Sequence, residues 1–240
     1  MLSAIAIVPA APVIVPELMG GAAAEMAGLR EAVLAAAGAL PAHWLAVGAG
    51  TADAVFGPER AGTFAGYGVD VPVALSPDSE PAPTELPLCA LIAGWIRGQT
   101  DARAAVGVRV FADACPADAA VAHGRRLRAE IDESVDPVGV LVVADGANTL
   151  APAAPGGYVP ESVALQLNLE DALAGGDVAA LTRVPDGIVG RVGYQVLAGL
   201  AEPGPQAARE LYRGAPYGVG YFVGVWDPAG RSEATWGSIP

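Results

Sequence analysis

Apolar residues fall along this chain in short runs separated by Gly- and Pro-containing breaks. Residues 2–8 form one such run, closed by Pro9, and read as a buried strand. The stretch 22–42 is Ala-rich, with Leu29, Val33, Leu34 and Leu40 at mostly helical spacing. It predicts a long helix that ends before Pro41. Residues 44–47 predict a second strand, closed by a Gly48-Ala49-Gly50 turn. Residues 70–75 predict an extended edge segment, because Pro72 cannot donate to a ladder, and 76–87 a loop. Strands are also predicted over 104–111, 138–144 and 217–226. Of these, 138–144 (Val-Gly-Val-Leu-Val-Val-Ala) is the most strand-like and belongs in mid-sheet. Helices are predicted over 88–97, 117–130, 161–174, 178–182 and 193–201, and a Gly/Pro loop over 145–158.

Strands that alternate with helices argue for a three-layer α/β/α sandwich around a mostly parallel, mixed sheet. No linker or repeat breaks the chain, so one domain is expected over residues 1–240, with an irregular tail at 227–240. In such folds ligands bind outside the carboxyl ends of the strands. Ala10, Gly48–Gly50 and the stretch 145–149 all follow strands in this way.

Composition narrows the partners. The chain is 53% hydrophobic and 16% charged, enough for a large core. Its 31 Gly and 21 Pro fall short of a low-complexity composition. A net charge of −13 argues against nucleic acid and anionic lipid, which both need clustered Lys or Arg. The one dense basic group, Arg125-Arg126-Leu127-Arg128, reads as a solvated helix face. Cys89 and Cys115 have neither CxxC nor zinc-like spacing and read as buried thiols of a reducing cytoplasm. Pro9, Pro12 and Pro16 interrupt the N-terminal apolar run, which argues against a signal peptide, and no apolar run is long enough to span a membrane. Ala/Val-rich surface must be covered somewhere, so a homo-oligomer is expected.

Several residues invite a chemical reading. Gly48-Ala-Gly50-Thr-Ala-Asp53 is a partial dinucleotide fingerprint, with Asp70 where the ribose-binding acid would stand. Asp53 replaces the third glycine and would repel a pyrophosphate, so a tight structural turn is the better reading. No P-loop and no Gly-x-Ser-x-Gly elbow occurs. Asp145, Asn148 and Thr149 form the densest polar group at a core strand end. They suit a small polar ligand or a hard cation, or else a self-capping Asx turn. Arg191 is expected to form an ion pair, with Asp145 as a candidate partner, or to contact an anion. Glu17 and Glu210 read as helix-terminus charges. His43, before the second strand, and His123, on the basic helix, are the only histidines.

The frame around Ala10 carries a resemblance. Ile5-Ala-Ile-Val-Pro9-Ala10-Ala11-Pro12 resembles the opening of the class III extradiol ring-cleavage dioxygenase (LigB-like) superfamily. Members there typically carry Pro-His-x-Pro after an apolar strand, and that His binds the catalytic metal. Members often follow a second apolar strand with Ser-Pro-His, where this chain has Gly48-Ala49-Gly50. Asp145-Gly-Ala-Asn148-Thr149-Leu150 resembles the Gly-Asp-Leu-Ser-His-Arg-Leu segment, shared with the Memo-like branch. Ala154-Pro155-Gly-Gly157-Tyr158 and Ala172-Leu173-Ala-Gly-Gly176-Asp177 are similar to the motifs that follow it. Ile188-Val189-Gly190-Arg191 resembles the Memo-like Ile-Cys-Gly-Arg, and the stretch from Ala215 to Tyr221 also has the look of the group.

The resemblance implies a LigB-like fold. It places the metal-ligand positions at Ala10, Gly50 and Val189 and the acid–base at Asn148. An extradiol dioxygenase needs Fe(II) in a facial set of two histidines and a carboxylate, and a base for the catechol. With those positions substituted, the expectation is a domain that has lost its Fe(II) site and carries no cofactor. It would be a non-catalytic protein that takes a small polar or aromatic ligand in the old cleft. The alternatives are an enzyme of altered chemistry that uses Asp145, Asn148 and Arg191, and a genuine extradiol dioxygenase unit completed by a partner chain. Convergence of Ala10, Gly50, Asn148 and Val189 on one point is the structural test.

Overall fold

Leu2–Val8 (β1) is buried along its whole length, as a run apolar but for Ser3 must be when both faces of a strand are covered. Ile5 and Ile7 pack on one side of the sheet, and Ala6 and Val8 on the other. The structure is a computed structural model that describes residues 1–80 and 82–229. In chain order the strands are β1, β2 (His43–Gly50), β3 (Ala54–Phe56), β4 (Ala61–Thr63), β5 (Pro72–Ala74), β6 (Ala105–Ala112), β7 (Val138–Val143), β8 (Ala207–Gly214) and β9 (Tyr221–Asp227). The helices are α1 (Pro16–Met19), α2 (Ala27–Ala37), α3 (Leu88–Thr100), α4 (Ala117–Glu133), α5 (Glu161–Gly175), α6 (Val178–Leu181) and α7 (Arg191–Ala201).

The protein is an α/β sandwich around a seven-stranded sheet of order β3-β6-β2-β7-β1-β9-β8, and β4 and β5 form a separate two-stranded sheet. The central β6, β2, β7 and β1 are parallel; β3 pairs antiparallel with β6, β9 antiparallel with β1, and β8 antiparallel with β9. As its apolar run requires, β7 sits in mid-sheet. One face packs against α2 and α3, the other against α4, α5, α6 and α7. On the second face α4 and α7 cross backbone to backbone. A Cβ at Gly124 would lie 2.0 Å from the Val196 carbonyl oxygen, and one at Gly199 would lie 2.0 Å from that of Val121. No helix among the described residues is long and apolar enough to cross a membrane.

Four sequence expectations need correction. The stretch 22–42 is not one helix: a 3₁₀ segment, Gly20–Met26, precedes α2. Gly20, at φ 51°, breaks the chain before it, and the Gly38-Ala39-Leu40 turn ends α2 early. Gly48-Ala49-Gly50 is not a turn but the end of β2, paired with Val110, Phe111 and Ala112. Glycine is required at Gly48 because α3 comes so close that a Cβ there would lie 2.4 Å from the Cys89 Cβ. The last strand begins at Tyr221, because Pro216–Gly218 forms a 3₁₀ turn with Tyr217 at φ 57°. Strands β3, β4 and β8 were not expected. β3 and β4 have three residues each, and β8 is an edge strand whose Arg209, Glu210 and Arg213 hide any alternation. Asp227 ends β9, and residues 230–240 of the expected irregular tail lie outside the described residues.

Candidate active site at the strand ends

Register assembles the site. Val8 pairs with Val143, Val47 with Val142, and Ile7 with Gly224. Continued past the strand ends, these pairings set Gly50, Asp145, Ala10 and Tyr221 side by side across β2, β7, β1 and β9. Alternation then directs all four toward the α2–α3 face, where Val143 and Tyr221 are buried and Ala10 packs.

Asp145 is the polar centre of this row. Its Oδ1 accepts the Ala10 backbone N–H at 2.8 Å. Its other oxygen has no hydrogen-bond partner among the described residues. The side chain is partly open to solvent yet ringed by protein. Desolvation pushes its carboxyl up to about 7, against the lowering effect of the Ala10 amide.

Tyr221 stands beyond Ala10 and is 4% exposed. Burial, and then the nearby Asp145 carboxyl, push its phenol above the usual tyrosine range. Its hydroxyl has no hydrogen-bond partner among the described residues. No side-chain nitrogen or oxygen that is fully shut off from solvent lacks a partner there, so this hydroxyl reaches accessible space. Tyr194 approaches from the opposite face of the sheet and donates to the Ala144 carbonyl at 2.9 Å.

The loop after β7 is fastened on two sides. Gly146 donates to the Gly220 carbonyl at 2.8 Å, and Gly220 donates to that of Ala147 at 2.8 Å. Gln166 Oε1 accepts the Ala147 N–H at 2.8 Å, and its amide donates to Glu170 at 2.8 Å. Val189 donates to the Gly146 carbonyl at 3.1 Å and Gly190 to that of Asp145 at 2.8 Å. A Cβ at Gly190 would lie 2.6 Å from the Ala144 Cβ, so only glycine fits the start of α7 there.

The expected site residues therefore divide. Ala10 and Val189 are both bonded to the 145–146 segment, and Gly50 is level with it by register. Asn148 serves the loop instead. Its carbonyl accepts the Gly156 N–H at 3.0 Å and stitches the loop to itself. Thr149 donates to Ser162 at 2.6 Å. Asp145 does not cap its own loop but reaches across to β1. Arg191 does not pair with Asp145. Its guanidinium pairs with Asp186 at 3.0 Å and donates to the Cys115 and Asp113 carbonyls and to Gln195, because α7 begins beside the β6–α4 loop.

The remaining candidates are structural. Asp53 accepts the Ala112 N–H at 2.7 Å, and with Gly48–Gly50 inside a strand the dinucleotide fingerprint has no phosphate-binding turn. Glu17 lies in the first turn of α1, as expected. Glu210 lies in β8, not at a helix terminus, and binds Arg213. His43 opens β2 at the end opposite the site. The His123 ring lies 4.7 Å from that of Phe111 and meets Arg126 at 2.7 Å. Among the described residues no group of three or more His, Cys, Asp or Glu is placed to hold a metal.

Sequence reasoning noted 215–221 only as part of the resemblance, gave Tyr217 and Tyr221 no role, and missed Glu25. The Tyr217 hydroxyl donates to Glu25 at 2.7 Å and straps the turn before β9 to the segment before α2. No local pattern marks Glu25 or says what Tyr217 and Tyr221 would meet. Antiparallel pairing of β9 with β1 is what brings position 221 beside position 10. Chemically, the row offers a free carboxylate oxygen and a free phenol, with no basic side chain bonded to either.

No family model matches the chain, and no curated protein matches it. Among solved structures it is similar to the crystal structure of uncharacterized protein JW3007 from Escherichia coli K12. The TM-score is 0.60 at 14% sequence identity, over 94% of this chain and 99% of that chain. At that identity the likeness carries the fold alone: a mixed, mostly parallel sheet between layers of helices.

Proposed function

We propose that this chain is a LigB-like domain whose Fe(II) site has been lost and whose old cleft serves a non-catalytic, ligand-binding role. The positions that the resemblance gives to the metal ligands hold a methyl group at Ala10, a hydrogen at Gly50 and an isopropyl group at Val189. That set does not fit Fe(II), which needs imidazole and carboxylate donors, and no step of the proposed role runs through a metal. The observation that carries the reading is the Ala10–Asp145 hydrogen bond. The carboxylate that the motif retains is committed on one oxygen to the backbone of the residue that stands at the first ligand position. Buried, unpaired Cys89 and Cys115 support a reducing cytoplasm as the working compartment.

Oxygen uptake tests this. The purified protein, loaded anaerobically with Fe(II) and given a catechol, is expected to consume oxygen no faster than Fe(II) in buffer. Catalytic uptake would overturn the reading.

A second reading is favoured by one observation. A carboxyl pushed up to about 7 suits proton transfer near neutral pH, so altered chemistry through Asp145 is the alternative. It requires a turnover that Asp145→Asn abolishes, and binding without turnover would remove it.

A further inference from the structure

Two polar groups at the strand ends are left with unused capacity. The second oxygen of Asp145 and the hydroxyl of Tyr221 both lack protein partners among the described residues. Register and alternation put both on one face of the sheet, in one row, with the Ala10 methyl between them. Tyr221 is 4% exposed, yet its hydroxyl reaches accessible space, so a ligand can meet it there without displacing any protein partner.

The chemistry of that partner follows from what the row lacks. Arg191, the nearest cation in sequence to the Asp145-contacting turn, is held by Asp186, Gln195 and two carbonyl oxygens. An anion would meet a carboxylate with no compensating charge. A group with several N–H donors and a positive charge would satisfy the carboxylate oxygen and the phenol oxygen together. The net charge of −13 favours approach of a cation. Tyr217 and Tyr212 stand near Tyr221 and add aromatic surface beside it, which suits a cation with an apolar tail.

We propose that the Ala10–Asp145–Tyr221 row binds a small organic amine in its primary ammonium form. One N–H donates to Asp145 and another to the Tyr221 oxygen, and the alkyl tail lies along Ala10 and the tyrosine rim. The proposal rests on the reading of the strand ends as a ligand site, and it needs no metal.

The test is calorimetric titration of n-butylamine into the full chain with a chelator present, so that failure of the lost-metal reading leaves this result untouched. The groups that face Asp145 are Tyr221 from β9, Tyr194 from α7 and the Ala10 amide. None of these titrates between pH 6 and 8. With the carboxyl at about 7, binding is expected to tighten about tenfold from pH 6 to pH 8, as the carboxylate forms while the amine stays charged. Asp145→Asn keeps an oxygen for the Ala10 N–H and is expected to weaken binding more than about tenfold. Tyr221→Phe is expected to weaken it about fivefold, the worth of one hydrogen bond. Absence of binding, equal affinity in Asp145→Asn, or equal affinity for tetramethylammonium, which has no N–H, would each overturn the proposal.

Discussion

The crossing of α4 over α7 and the row at Asp145 lie on opposite faces of the same sheet and obey opposite rules. At the crossing the backbones meet, and Gly124 and Gly199 leave no room for a single added carbon. At the row the second Asp145 oxygen and the Tyr221 hydroxyl lack protein partners among the described residues. The crossing is given over to close packing, whereas under the proposed reading the row is where a ligand binds. The contrast separates glycines that serve packing from polar groups that the fold leaves unpaired. Gly199 is fixed by a neighbour's carbonyl oxygen, whereas Ala10 is held through its backbone N–H by the Asp145 carboxylate.

The largest effect expected from breaking this contrast is at the crossing. Gly199→Ala should cost about 3 kcal/mol or more, because the new Cβ meets backbone that cannot step aside. Urea denaturation measures it, and a loss under about 1 kcal/mol would mean that the helices can slide apart.

The next test concerns Asp145 and pH. Its folded carboxyl is raised to about 7 from an ordinary value of 3.8, so between these pH values the folded state holds more protons than the unfolded state. Stability is therefore fully present at low pH and is lost as pH rises through 7. The full shift would be worth about 4 kcal/mol, and partial exposure to solvent reduces the expectation to about 2 kcal/mol. Asp145→Asn should flatten that part of the stability–pH profile. An unchanged slope would show that some other group carries it.

Arg191→Ala should cost about 1–2 kcal/mol by freeing the Asp113 and Cys115 carbonyls and Gln195. It should leave the Asp145 titration in place, since the two side chains do not meet. A shift of that titration would contradict the separation of the two residues. The smallest effect is at Tyr221→Phe, expected within about 0.5 kcal/mol of the parent because the hydroxyl lost has no protein partner. A large loss there would reveal a bond that binds the row into the fold.

The fold was legible where burial wrote a clear pattern. The apolar runs at β1, β6 and β7 and the Ala- or Leu-rich spans at α3, α4, α5 and α7 announce a layered α/β protein. Strand β8 was illegible because an edge strand with Arg209, Glu210 and Arg213 has no buried face to keep pure. Gly48–Gly50 misled because glycine marks turns by its freedom, yet Gly48 is there for want of space beside Cys89.

The site was half legible. Proline-framed Ala10 and the polar start of the 145–149 loop both follow strands, and position alone flagged them. The resemblance touched Tyr221, but its place beside Ala10 was out of reach, since nothing local says that β9 runs antiparallel beside β1. Arg191 shows the converse failure: its charge made it conspicuous, and the β6–α4 loop absorbed it.

The lost-metal reading turns on whether the Ala10 frame still binds iron. Iron bound per chain, measured by elemental analysis after anaerobic Fe(II) loading and desalting, decides this. Iron far below one equivalent is expected, unchanged by Asp145→Asn. One iron per chain, lost in Asp145→Asn, would contradict the reading.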